Sequence, residues 1–225
     1  MFIYEQNKEL KIAFNSNKPT DNAITLSVDS DKGTMFLNNS EVAPVVGTEL
    51  SEDVTFTTAK VISGPETVVL NGHKISAPED TAGDGVYHVV EGGYLTIDGE
   101  GVVDGVSNND YNMAIWADGG HVVINGGTFT NKGATATLDP AHFDLIYAKN
   151  GGIVEINGGR FECETPQWTL NNNDKAPGNF IVRGGTFVGF DPSCTETEPA
   201  GANNNFVAEG YKVVVSGNEY TVIKK

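Results

Sequence analysis

Positive charge is scarce in this sequence. Its 14 lysines and arginines face 30 aspartates and glutamates, a formal net charge of −16, and no stretch gathers the basic residues together. A groove that follows phosphates would have nothing to neutralise them with, so nucleic acid and anionic membrane surfaces are excluded as partners. The acidity reads first as a soluble, self-repelling surface. Cysteine is rarer still: Cys163 and Cys194 lie 31 residues apart and form no ligand pattern with the four histidines. Free thiols are expected, with no bridge, metal or cofactor. No apolar run approaches the ~18 residues of a membrane span. The opening MFIYEQNKELKIAF has no basic region, apolar core or small-residue cleavage site. The chain is therefore expected to stay in the cytoplasm that makes it.

Glycine is abundant instead, at 27 of 225 residues, without the G-X-Y period of collagen. The glycines mark an internal repeat. With Ile97 of GGYLTIDGEGV as origin, Gly92 and Gly93 lie at −5 and −4, Leu95 at −2, Asp98 and Gly99 at +1 and +2, and Val102 at +5. The same frame fits GGHVVINGGTF through Ile124, Gly126 and Phe129, and GGIVEINGGRF through Ile156, Gly158 and Phe161. Two degraded copies flank these: PGNFIVRGGTF with Val182, Gly184 and Phe187, and PETVVLNGHKI with Leu70, Gly72 and Ile75.

The origins are spaced 27, 27, 32 and 26 residues apart. Positions −2 and 0 share one strand face, and the Asn/Asp-Gly pair turns the chain before the apolar residue at +5. Such pairs also make hairpins, but an antiparallel meander would repeat every 8–12 residues or so. The longer period predicts an all-β solenoid of about five coils, a right-handed parallel β-helix, with like residues stacked in columns and left-handed corners at Gly or Asn. A third strand per coil is expected near Val86–Val90, Met113–Trp116 and Leu145–Ala148.

Residues 1–50 do not carry the frame. They read as short strands (Leu10–Phe14, Ala23–Val28, Thr34–Leu37) in a small β element that either caps the first coil or attaches the chain to something else. The β-helix is expected over 51–205, and the last segment, 206–225, as a hairpin that closes the stack. Insertions fall at 131–143, 162–178 and 191–205. Loops from successive coils tend to emerge on one face, often the binding face, and a groove there would hold Trp168, His142, Asp144 and Asp174.

LNGHKIS followed by GGYLTIDGEGVVDG is similar to the opening coils of the right-handed β-helix superfamily of pectate lyases, polygalacturonases and phage tailspikes, over roughly residues 54–190. The run from DLIYAKNGGIVEINGGRF through GGTFVGFDPS to NNNFVAEGYKVVVSGNEYTV more narrowly resembles β-helical proteins of phages and prophages of gut bacteria, assigned to virion fibres, spikes or decorations. The resemblance implies a structural virion protein at the particle surface, held to capsid or tail proteins through residues 1–50. It also implies a homo-oligomer, often a trimer; a host surface glycan is the ligand that the aromatic residues beside Asn/Asp-rich loops would suit. A glycan-depolymerising tailspike or lyase, and a bacterial glycan-binding adhesin, are the alternatives.

The chemistry a depolymerase needs is not legible. The Asn-Thr-Asp, Asp-Asp, Gly-His-Gly and Arg-Ile-Lys signatures of polygalacturonases are absent, so no catalytic residue is expected. His73 reads as a solvated corner residue, and Arg160 and Arg183 as outward-facing members of the frame. Asp98 and Asp104, with Asp110 and Asp118, match no ligand loop. His142 and Asp144 share a strand face, with no nucleophile placed to meet them. Trp116 reads as core. Trp168, in an insertion among asparagines, is the residue best suited to a sugar ring.

Overall fold

A computed structural model of the chain describes residues 2–6, 9–13, 24–29, 34–37, 40–42, 47–77, 85–105, 113–132, 144–173, 175–197 and 202–225. The chain divides into two compact units, Met1–Val46 and Gly47–Lys225. The first is a five-stranded antiparallel meander in sequence order: β1 (Phe2–Gln6), β2 (Glu9–Ala13), β3 (Ile24–Asp29), β4 (Thr34–Leu37) and β5 (Ser40–Val42).

The second unit opens with β6 (Thr48–Glu49) and β7 (Val54–Thr55) and then repeats a three-strand coil. The first coil is β8 (Lys60–Ile62), β9 (Pro65–Val69) and β10 (Lys74–Ser76); the second is β11 (Tyr87–Val90), β12 (Tyr94–Asp98) and β13 (Val102–Asp104). The third is β14 (Ile115–Asp118), β15 (His121–Ile124) and β16 (Thr128–Thr130), and the fourth is β17 (Ile146–Lys149), β18 (Ile153–Ile156) and β19 (Arg160–Glu162). The fifth is β20 (Leu170–Asn172), β21 (Asn179–Val182) and β22 (Thr186–Val188). Equivalent strands pair in parallel from coil to coil. They form a first sheet β8-β11-β14-β17-β20, a second sheet β6-β9-β12-β15-β18-β21 and a third sheet β7-β10-β13-β16-β19-β22. Five stacked rungs enclose four full turns, the parallel solenoid that the repeat predicts.

Alternation along each strand sends every second side chain inward. The second sheet contributes the column Val68, Ile97, Ile124, Ile156 and Val182, and the third contributes Ile75, Val103, Phe129, Phe161 and Phe187, all buried. Phe129 and Phe161 stack at 5.2 Å and 11°, and Phe161 and Phe187 at 4.7 Å and 12°. Each such side chain contributes about 1.5–3 kcal/mol by leaving water.

Two frame positions are corrected. The frame aligns Leu70 with Ile97, but Val68 is the residue paired there, and Val103 rather than Val102 points inward. Corner length is the reason. Six residues separate Val68 from Ile75, five separate Ile97 from Val103, and four separate the inward pair in each later coil. Leu70 is buried because it fills the longest corner: a Cβ added to Gly101 or Gly127 would come within 2.5 or 2.6 Å of its side chain. The left-handed corners expected at Asn/Asp-Gly occur at Asn71, Gly72 and Gly99. In the Gly-Gly corners the second glycine takes that conformation, with φ of 89° at Gly127 and 99° at Gly159. The first glycine provides room, since a Cβ on Gly158 would lie 2.4 Å from the Asn125 carbonyl oxygen.

Past the fifth coil, β23 (Thr195–Thr197) and β24 (Ala202–Asn204) form a small hairpin. They are followed by β25 (Tyr211–Ser216) and β26 (Glu219–Lys224). β26 pairs antiparallel with β22 and buries Val222, which adds the hairpin to the end of the third sheet. No helix among the described residues is long and apolar enough to cross a membrane.

Candidate ligand-binding face

The chain passes from third to first sheet four times, through 77–86, 105–114, 131–145 and 163–169, and each passage joins the same two sheets. Of the residues expected to line a groove there, His142 and Asp174 lie outside the described residues. Trp168 ends a single 3-10 turn, Pro166–Trp168, and its carbonyl accepts from the Leu145 amide at 3.1 Å, which places it one coil from Asp144.

Asp144 does not fit the ligand role expected of it. It is 6% exposed, and the Asn171 side-chain amide donates to its Oδ1 at 3.0 Å. The Asn131 amide donates to its carbonyl at 3.3 Å, while Asn131 Oδ1 accepts from the Glu164 amide at 2.7 Å. Burial pushes the neighbouring Cys163 thiol up to about 12, and Cys194 is exposed; neither cysteine is in a disulfide. This polar group ties two successive third-to-first connections and β20 together, with the carboxylate turned into the corner.

The outer face of the first sheet carries a more accessible arrangement. Register stacks Val61, His88, Trp116 and Tyr147 in one outward column, which ends at Asn171, buried against Asp144. Trp116, expected in the core, is half-buried on this face, because Ile115 and Ala117 take the inward positions of β14. The alternation I-W-A-D, aligned with YHVV and IYAK, is the sequence signal for this placement. The His88 and Trp116 rings stack at 3.9 Å and 3°. His88 Nε2 lies 3.2 Å from Asp118 Oδ2, and the Asn150 amide donates to Asp118 Oδ1 at 2.6 Å. The Asn173 amide donates to the Tyr147 hydroxyl at 2.6 Å. Trp116 Nε1 and Trp168 Nε1 are buried and meet no hydrogen-bond partner among the described residues. Beside the column a cavity of about 510 Å³ is lined by Val90, Glu91, Asp118, Gly119 and Asn150. Carboxylates, a carboxamide and a valine beside aromatic rings can accept sugar hydroxyls while packing a C–H face.

The other charged groups are engaged along the coils. Arg183 and His121 both meet Glu155, with His121 Nε2 at 2.9 Å, and the Arg183 guanidinium hydrogen bond holds the Glu155 carboxyl below the usual range against the effect of burial. Arg160 bonds Glu162 at 2.6 Å and Glu219 at 2.8 Å, which raises its already high pKa. Both arginines face outward as expected. His73 sits at a corner 3.4 Å from Asp53, whose carboxyl is lowered chiefly by the Lys74 backbone amide. Asp98, Asp104 and Asp118 lie on three different sheets and make no common patch, and Asp110 lies outside the described residues. Among the described residues no group of three or more His, Cys, Asp or Glu side chains is arranged to hold a metal. Comparison with protein families, with curated proteins and with solved structures gives no match.

Proposed function

We propose that this chain is a structural protein of a bacteriophage particle, a head decoration, fibre or spike, with the solenoid displayed at the virion surface and residues 1–50 attached to capsid or tail proteins. The observation that carries the reading is the use made of outward charge. Lys74–Asp104 and the His121–Glu155–Arg183 group join neighbouring coils, and Arg160–Glu219 joins the fourth coil to the closing hairpin. Such side chains stiffen a rod for display. The likeness of the coil motifs to virion β-helices supports the same reading. Antibodies raised to the chain are expected to label purified virions, and virions that stay unlabelled overturn it.

Glycan binding at the virion surface is the second reading, and one observation favours it: the His88–Trp116 stack next to the cavity of Glu91, Asp118 and Asn150. Trp116→Ala is expected to weaken retention on immobilised host polysaccharide by about tenfold, roughly the loss of one ring contact. Unchanged retention rejects this face. A loss confined to Trp168→Ala returns the site to the insertion.

A further inference from the structure

The described residues include five large hydrophobic side chains that stand exposed, and three of them are on one hairpin: Val214 at 43%, Val215 at 57% and Ile223 at 40%. That hairpin ends the third sheet. β25 is its terminal strand, bonded on one side to β26, and among the described residues no strand lies on its other side. An unpaired edge of six residues presents a row of free backbone donors and acceptors. Native edges are usually blunted by proline, a bulge, inward charge, edge lysines or short length. The sequence YKVVVS has none of the first three, and Lys212 is its single edge lysine in six residues, leaving the valines from 213 to 215 uncharged.

We propose that β25 is an interface between two copies of this chain, joined edge to edge by antiparallel pairing about a two-fold axis at Val214. The strand's own order argues for a second copy. Tyr211 and Val213 pack toward the core, so Lys212, Val214 and Ser216 share the outer face. A continuous sheet requires that residues placed opposite one another face the same way. With Val214 opposite its own copy, Val213 meets Val215 and Lys212 meets Ser216. The register covers the exposed Val214 and Val215 with valine on both faces. It sets the lysine opposite a serine, with no like charges opposed.

Charge argues for the same place. The segment 206–225 carries Lys212, Lys224 and Lys225 against Glu209 and Glu219, a net +1 within a chain of −16. Two acidic copies repel least where each is locally basic. The antiparallel arrangement puts the two pairs of terminal lysines at opposite ends of the joined strands, about 20 Å apart and beyond the ~8 Å screening length of physiological salt. A two-fold contact of this kind closes on itself and gives a dimer rather than a filament.

Sedimentation of the intact chain is expected to show a species of twice 23.9 kDa. In a Cys194→Ser background, Val214→Cys should form a reducible covalent dimer under mild oxidation. Directly opposed residues in antiparallel strands have Cα atoms about 4.5–5.5 Å apart, within disulfide reach. Lys212→Cys, facing Ser216 across the axis, should not. Val214→Lys should yield the monomer, with circular dichroism unchanged to show that the solenoid remains folded. The proposal is overturned by a 23.9 kDa species at all concentrations up to about 100 μM. It is equally overturned by a trimer, or by Lys212→Cys cross-linking as readily as Val214→Cys. None of these outcomes depends on labelling of virions, so the interface and the virion reading fail separately.

Discussion

At the residue scale, two glycines that look alike in the sequence differ in what surrounds them. Gly158 follows Asn157 in a corner where a Cβ would lie 2.4 Å from the Asn125 carbonyl oxygen, a backbone atom that cannot swing aside. Gly64 also sits in a corner, between β8 and β9, yet a Cβ there meets nothing within 4 Å and its φ is not left-handed. Gly158→Ala must therefore push two coils apart, at a cost of about 1–3 kcal/mol typical of overpacking. Gly64→Ala should change stability by less than about 0.5 kcal/mol. Urea unfolding of the two variants measures the difference, and equal midpoints would show that the stack absorbs the added methyl.

At the scale of strands and corners, the outward residues of neighbouring coils act together. Arg183 on the corner after β21 reaches Glu155 on β18, and this contact, more than any other, depresses the Glu155 carboxyl. A carboxylate whose pKa is lower folded than unfolded stabilises the fold above its ordinary range, and loses that contribution as pH falls through the lowered value. Arg183→Gln is therefore expected to move the acid-unfolding midpoint to higher pH. The gap between variant and parent should be full at neutral pH and close in strong acid. A midpoint that does not move would mean the pair gains nothing over solvent. The strands themselves are legible in the sequence because inward Ile, Val and Phe recur with period two and each frame ends at a corner glycine. Two details are hidden. The corner after β9 is two residues longer than those of the last three coils, so Leu70 imitates a column residue, and no local pattern distinguishes the two. Trp116 reads as core because its size outweighs the alternation around it. The aromatic face follows from that alternation once β11, β14 and β17 are aligned, whereas the inward turn of Asp144 depends on Asn171, one coil away and invisible to local reading.

At the scale of the whole solenoid, each coil contacts only its neighbours, so stability accumulates coil by coil and the ends are the weak points. The described C-terminal end is closed by β26 on β22, by Val222, and by Phe206 against Phe180 at 4.9 Å. Without residues 206–225, Phe180 loses its ring partner and the edge of β22, beside the fully buried Phe187, opens to water. Losing the burial of two or three large apolar side chains, at about 1.5–3 kcal/mol each, removes a substantial share of a typical 5–15 kcal/mol stability. A variant ending at residue 205 should therefore unfold at a clearly lower urea concentration. Because solenoid coils uncouple from the ends, its fifth coil should lose amide-exchange protection before the third. The inward column runs from Ile124 through Ile156 to Val182 without a polar break, so fraying stops only where the next complete rung begins. Uniform protection across β15, β18 and β21 in the shortened chain would show instead that the stack holds itself without its hairpin.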